Sequence, residues 1–213
     1  MWRAASRRSI VTINKCCSHF YSTQKPVWGF ISDTHFQEQS LDKIVAATDW
    51  IVEEFTKKNV NRVFLLGDIL NTRQMVHIGA QSAAMNFINK LFRTFDSNIQ
   101  VIIGNHDMHL RHSRAVTSLD SLDLSPLSER ISLYREFTIT EIDGYKIVMI
   151  PYHQNEAELE KKIVDLQNQI PEAELEQMIA LAHVSVSSAC VSKSKNILFE
   201  GFILNSDSFR FLD

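Results

Sequence analysis

The sequence predicts an α/β fold, and two observations carry the prediction. Short apolar runs at 26–32 (PVWGFIS), 61–66 (NRVFLL) and 99–104 (IQVIIG) alternate with longer stretches of helical periodicity at 40–59 and 80–96. Each run also ends on polar residues: Asp33, Gly67-Asp68 and Asn105. Strand–helix–strand–helix–strand order implies parallel strands joined by right-handed crossovers. In such sheets ligands gather at the carboxyl ends of the strands.

The elements follow from periodicity. Residues 40–59 place Leu41, Ile44, Val45, Ile51, Val52 and Phe55 on one helical face, with Ser40 positioned to cap the start. Lys57 and Lys58 suit the negative end of that helix. Residues 80–96 repeat the pattern, with Phe87, Ile88, Leu91, Phe92 and Phe95 inward. Farther on, FTITEID (137–143) and YKIVMI (145–150) read as strands joined by Asp143-Gly144, a hairpin dipeptide. Charged helical sequence fills 155–178, and MIALAHVS (178–185) reads as a strand ending at His183.

The chain has 213 residues, 45% of them hydrophobic and 22% charged, an ordinary mix for one globular domain. No apolar run approaches the roughly 18 residues of a membrane span, so no membrane is expected as a partner. Three cysteines, two adjacent (Cys16, Cys17) and one distant (Cys190), form neither a disulfide framework nor a zinc spacing, and a reducing compartment fits them. The formal charge is −3 at pH 7. Such a chain does not draw polyanions by its overall field, so a phosphate substrate needs local cations, either side chains or metals.

The N-terminus differs from the rest. Residues 1–25 hold Arg3, Arg7, Arg8, Lys15 and Lys25, and the first acidic residue of the chain is Asp33. Arginine, serine and threonine without acid is the makeup of a mitochondrial transit peptide. The expected organisation is therefore a transit peptide over 1–25 and one domain over 26–213, located in the mitochondrial matrix. Removing the peptide would make the remainder more acidic still.

Four strand ends deliver the chemistry: Asp33 with His35, Asp68, Asn105 with His106, and His183. Each alone has an ordinary reading as a cap or a turn. Together, carboxylate, imidazole and amide groups supply the ligands of divalent Mn, Fe or Zn. Two carboxylates in one cleft repel each other unless a cation stands between them.

SDTH (32–35), GD (67–68), GNHD (104–107) and AHVS (182–185) together resemble the ordered motifs of the calcineurin-like metallophosphoesterases. Within that superfamily the chain is similar to the SbcD-type nucleases of recombination and repair, phage forms included, chiefly through GNHDMHLRHSRAVTSLDSL (104–122). GDILNTR (67–73) lacks the pattern of the protein serine/threonine phosphatases. The resemblance implies layered β-sheets flanked by helices and two divalent metal ions, expected as Mn2+ with Fe or Zn as alternatives. It implies Asp33 and His35 on the first metal, Asp68 bridging, and Asn105 and His183 on the second. His106 is left to stabilise the transition state or protonate the leaving oxygen, and Asp107 to orient a neighbour by a hydrogen bond. It further implies DNA as substrate, a homodimer, and an SMC-like ATPase partner.

Arg111 and Arg114 follow the catalytic loop and are read as contacts to nucleic-acid phosphates; His153, after a strand end, is read as a substrate contact. His77, His109 and His112 are read as surface loop residues. The family's later Gly-His-x-His motif is missing, since His183 is the last histidine. The expectation is a C-terminally truncated chain that lacks the end of the fold, with weak metal binding. Two other functions stay open: a phosphodiesterase or phosphatase for a small nucleotide, and a non-catalytic scaffold on the same fold.

Overall fold

The computed structural model describes residues 25–73, 75–110, 112–123, 128–186 and 203–204. Residues 1–24 of the expected transit peptide, Arg111 and all three cysteines lie outside the described residues. In chain order the elements are β1 (Trp28–Ile31), α1 (Leu41–Lys57), β2 (Arg62–Leu65), α2 (Ile78–Thr94), β3 (Ile99–Ile102), β4 (Met108–Leu110), β5 (Ser113–Thr117), α3 (Asp120–Asp123), β6 (Ile131–Tyr134), β7 (Thr138–Ile142), β8 (Tyr145–Ile150), α4 (Glu156–Gln169), α5 (Glu172–Leu175), β9 (Ile179–Ala182), β10 (Ser185–Val186) and β11 (Ile203–Leu204). Among the described residues no helix is long and apolar enough to cross a membrane.

Two larger sheets stack face to face. The first runs β1-β2-β3-β6 with every pairing parallel. The second runs β7-β8-β9, a hairpin followed by a parallel crossover through α4 and α5. Alternation along each strand sorts side chains between layers, because successive residues face opposite ways. Val63 and Leu65 of β2 turn toward α1 and α2, where Val52, Ala84, Ile88 and Leu91 cover them. Phe64 turns the other way and meets Ile147, Met149 and Leu181 of the second sheet. Val148 and Ile150 face outward from that sheet against Leu159, Ile163 and Leu166 of α4. The result is a four-layer α/β/β/α stack, with the central strands buried on both faces, as near-continuous apolar runs require.

The β7–β8 turn ties the sheets at one end. Asp143 (φ +54°) and Gly144 (φ +83°) both take the left-handed conformation of a type I′ turn. Asp143 accepts from Arg62 Nε (2.8 Å) and Nη2 (2.6 Å) of β2 and from Trp28 Nε1 (2.9 Å) of β1.

Several expectations need correction. Ser40 does not cap α1: a 3₁₀ turn over Glu38–Ser40 leads into the helix, and the Ser40 hydroxyl accepts from Gln37 Nε2 (3.0 Å) instead. Val45 is exposed, because the buried stripe of α1 centres on Thr48 and Val52. The strand β6 and the hairpin β4–β5 are additions to the sequence reading. Strand β6 is only four residues and half-buried throughout, and the hairpin is polar, so neither carries the alternation that marks a strand.

Candidate metal centre

The centre forms where loops after β1, β2, β3 and β9 meet. The first two loops continue their strands' pairing beyond the sheet: Asp33 N donates to Gly67 O (3.1 Å), His35 N to Asp68 O (3.0 Å) and Phe36 N to Ile69 O (2.8 Å). The second sheet is joined on by Tyr152 N to Ile103 O (2.8 Å), while His183 N bonds Ile150 O (2.9 Å) within it. Parallel strands of two stacked sheets therefore present their carboxyl ends to one place.

The backbone there is strained. Asp33 (φ +55°), His35 (φ +45°) and Asp68 (φ +54°) all take left-handed conformations that side-chain-bearing residues rarely adopt. Such strain persists only where surroundings hold it, and it concentrates at functional sites. Two glycines allow the close approach. A Cβ on Gly67 would lie 2.6 Å from His183 Nδ1, and one on Gly104 would overlap the Asp68 carboxylate and amide.

Asp68 is the hub. It is buried, and its Oδ1 accepts from the His106 amide (2.7 Å). Its Oδ2 lies 3.7 Å from His35 Nε2 and 3.5 Å from His183 Nε2. Burial opposes its ionisation more than any other single influence, yet His183 and the His106 amide together hold the carboxyl below its usual range. Burial likewise disfavours the charged form of His183, but Asp68 outweighs it and the imidazole pKa is raised. Asp33 reaches the cluster through His35, with 3.6 Å between His35 Nε2 and Asp33 Oδ1.

The donor chemistry fits divalent ions. His183 Nδ1 lies 2.7 Å from Leu66 O, and a carbonyl only accepts, so Nδ1 carries the proton and Nε2 turns a lone pair into the cluster. The same argument applies to His106, whose Nδ1 sits 2.6 Å from Asn71 O. Metal-ligating imidazoles are oriented in this way by their second nitrogen. Two groups of three donors form, each with its ligand atoms within 4.8 Å of one another: His35, Asp68, His106 and Asp33, Asp68, His183. Asp68 belongs to both. Asn105 adds an amide beside the second group, 3.1 Å from His183 Nε2. His106, which the sequence reading leaves outside the metal shell, thus stands among the donors.

Asp107 acts on the backbone rather than on a neighbouring side chain. Its Oδ2 accepts from Asp68 N (2.8 Å) and Gly104 N (2.9 Å), and its Oδ1 from Ile69 N (3.0 Å). Burial pushes its pKa up against those three donors. It is a positioning residue that holds the Asp68 turn against the Gly104 loop.

Arg73 is the residue that sequence reasoning missed. With the Asn105 amide nitrogen toward Asp68 Oδ2 (3.3 Å) and His183 Nε2 (3.1 Å), the Asn105 oxygen accepts from Arg73 Nη2 (2.8 Å). Arg73 Nε is buried without a partner. The available signal was a cation five residues past the Asp68 strand end.

Two of the expected substrate contacts, Arg114 and His153, lie apart from the donor groups. Arg114, on β5, bonds Glu136 (2.7 Å) and Tyr152 O (3.1 Å), so its charge is already balanced. His153 is buried, with Nδ1 2.8 Å from Pro151 O, and burial, reinforced by Arg114 and Lys162, lowers its pKa. Arg111 lies outside the described residues. His109 and His112 are exposed, and His77 pairs with Glu38 at 2.6 Å.

A family model, the calcineurin-like phosphoesterase superfamily domain, matches residues 27–189. The chain belongs to that superfamily. The matched span of this phosphoesterase domain contains every residue of the metal centre. Among solved structures it is similar to a dimetal phosphatase from Danio rerio, at 20% identity and a TM-score of 0.36. That match covers 48% of this chain and 35% of the other, so the chain spans about a third of that protein's length. No curated protein sequence matches the chain significantly.

Proposed function

We infer that the protein hydrolyses phosphodiesters at a dimetal centre and that its substrate is DNA. One observation carries the hydrolytic reading: a buried carboxylate, Asp68, belongs to two three-donor groups at once. Two divalent ions held there would supply Lewis-acid charge and a water of lowered pKa. The residues supply the rest. His183 and His106 are each held by a backbone carbonyl, with Nε2 free to bind or to move a proton. Asp107 keeps Asp68 in its strained conformation. Arg73 adds a positive group beside Asn105, where an anionic phosphate needs one.

DNA as substrate rests on the SbcD-type resemblance of residues 104–122. The same resemblance supports a repair or recombination role, manganese as the metal, a homodimer and an SMC-like ATPase partner. Residues 1–25 support import into mitochondria. The paired charges around Arg114 favour a second reading, a phosphodiesterase for a small nucleotide. Manganese-dependent degradation of labelled duplex DNA, set beside hydrolysis of bis-p-nitrophenyl phosphate, separates the two. Cleavage of both supports the nuclease. Cleavage of the small ester alone turns the assignment to the second reading, and cleavage of neither refutes both.

A further inference from the structure

A cavity of about 1090 Å³ opens beside the metal centre. That is slightly above the roughly 300–1,000 Å³ range of small-molecule sites. None of the donor residues lines it, but two of its walls adjoin the centre through the chain. Met108 lines it and directly follows His106 and Asp107. His153 and Gln154 line it, while Tyr152 just before them faces the His183 ring with 6.5 Å between centroids. The remaining walls are the β4–β5 hairpin, the loop after β6 and the first turn of α4.

The charges in this lining cancel in pairs. Arg114 is bound to Glu136 (2.7 Å), Arg135 to Asp120 (2.8 Å) and Glu158 to Lys162 (3.0 Å). A track for successive phosphates needs cations that the protein has not already neutralised, and among the described residues this wall has its lining charges matched. Neutral groups are what remain for a ligand. Among the described residues the Gln154 amide and the His112 imidazole make no hydrogen bond, and Asn155 spends only its oxygen, capping α4 at Glu158 N (3.2 Å). Met108, Ala115 and Ala157 add apolar surface between them. Amide donors and acceptors beside small apolar walls match the edges and faces of a nucleobase and the hydroxyls of a ribose.

We propose that this cavity is the subsite for an uncharged nucleoside that flanks the scissile phosphate, and not for a second phosphate. The position of the phosphate rests on the phosphoesterase reading; the cavity's preference for a neutral, hydrogen-bonding ligand does not. A terminal nucleoside of DNA and the nucleoside of a small ester present the same chemistry here.

The test uses the full chain and two variants on opposite walls, Ala157→Phe and Ala115→Phe, both at exposed positions that fill the cavity. Circular dichroism checks their folding, and the pair guards against one that does not fold. In metal-free protein, saturation-transfer NMR with thymidine should give a signal for wild type, weakened about tenfold in affinity by either substitution, and inorganic phosphate should not compete. With manganese, kcat/KM for thymidine 5′-monophosphate p-nitrophenyl ester relative to bis-p-nitrophenyl phosphate should fall about tenfold in the variants. Thymidine binding that is absent, unaffected by both substitutions, or displaced by phosphate overturns the proposal. Thymidine binding lost in the variants while neither ester is hydrolysed keeps the cavity assignment and removes the phosphoesterase reading instead.

Discussion

Replacing Asp107 by asparagine tests whether one buried carboxylate holds the metal centre together. The wild-type side chain takes three backbone amides, those of Asp68, Gly104 and Ile69, at 2.8–3.0 Å. An asparagine keeps one acceptor. With its oxygen on Asp68 N and Gly104 N, its NH2 confronts the Ile69 N–H, and one buried donor loses its partner. Leaving a buried donor unpaired costs about 1–3 kcal/mol. The neutral side chain recovers some of what burying a charge costs, so the net loss should fall at about 1–2 kcal/mol. For a chain of this size that is a fall in Tm of roughly 2–8 °C. Asp107→Leu strips all three amides of their acceptor and should cost about 3 kcal/mol or more. The functional consequence follows from the strain at Asp68 (φ +54°), which relaxes once its amide is released in the leucine variant and is loosened in the asparagine variant through the adjoining Ile69 amide. Manganese affinity should therefore drop in both variants, more in the leucine one. Urea unfolding and equilibrium dialysis read the two effects. An asparagine variant with wild-type midpoint and metal affinity, or equal losses in both variants, would refute the reasoning.

Asp68→Asn removes the carboxylate common to both donor groups and should abolish bound manganese, measured by elemental analysis. His106→Asn takes one of three donors from the His35–Asp68–His106 group and should lose one ion as well as turnover; both ions retained with turnover down about 10²–10⁴-fold would make His106 an acid–base group rather than a ligand. Gly104→Ala drives a methyl group into the Asp68 carboxylate, and overpacking of this kind costs about 1–3 kcal/mol, visible in thermal unfolding together with lost metal. Asp143→Asn keeps the left-handed turn, which asparagine tolerates, but loses the charge on Arg62, for about 1–2 kcal/mol at neutral pH. Arg62 holds the Asp143 carboxyl below its usual pKa. That stability is present above the unfolded value of about 3.9 and lost as pH falls through the folded one. The gap between wild type and Asp143→Asn should accordingly begin to narrow in urea titrations below about pH 4 and go on narrowing as the pH falls further; a gap that stays constant there would remove the ion pair as its cause.

The fold was legible where burial is two-sided. Runs such as VFLL and VIIG are apolar at every position because β2 and β3 have a layer on each face, and α2 declared its inward stripe through Phe87, Ile88, Leu91 and Phe92. Strand β6 pairs with β3 as the fourth strand of the first sheet, yet its sequence ISLY is half-buried and too short for a period to register. Asp143-Gly144 was legible because a type I′ turn demands two positive φ angles, and few residue pairs accept them.

The metal centre divides along a different line. Its side chains were legible because carboxylates, imidazoles and an amide at the carboxyl ends of strands have few other reasons to converge. What orients them was not, because that role falls to backbone groups, which every residue carries. Leu66 O fixes His183 and Asn71 O fixes His106, though neither carbonyl leaves any trace in residue type. Asp107 is the instructive case. Its place in GNHD marked it as part of the site, but its partners are three amides contributed by Asp68, Ile69 and Gly104, two of them nearly forty residues earlier in the chain. A motif names the side chains that do chemistry; only the packed loops reveal which of them hold the others still. The same limit explains Arg73. Its charge was visible in GDILNTR, but its approach to Asn105 depends on how the loop after β2 folds across the end of β3.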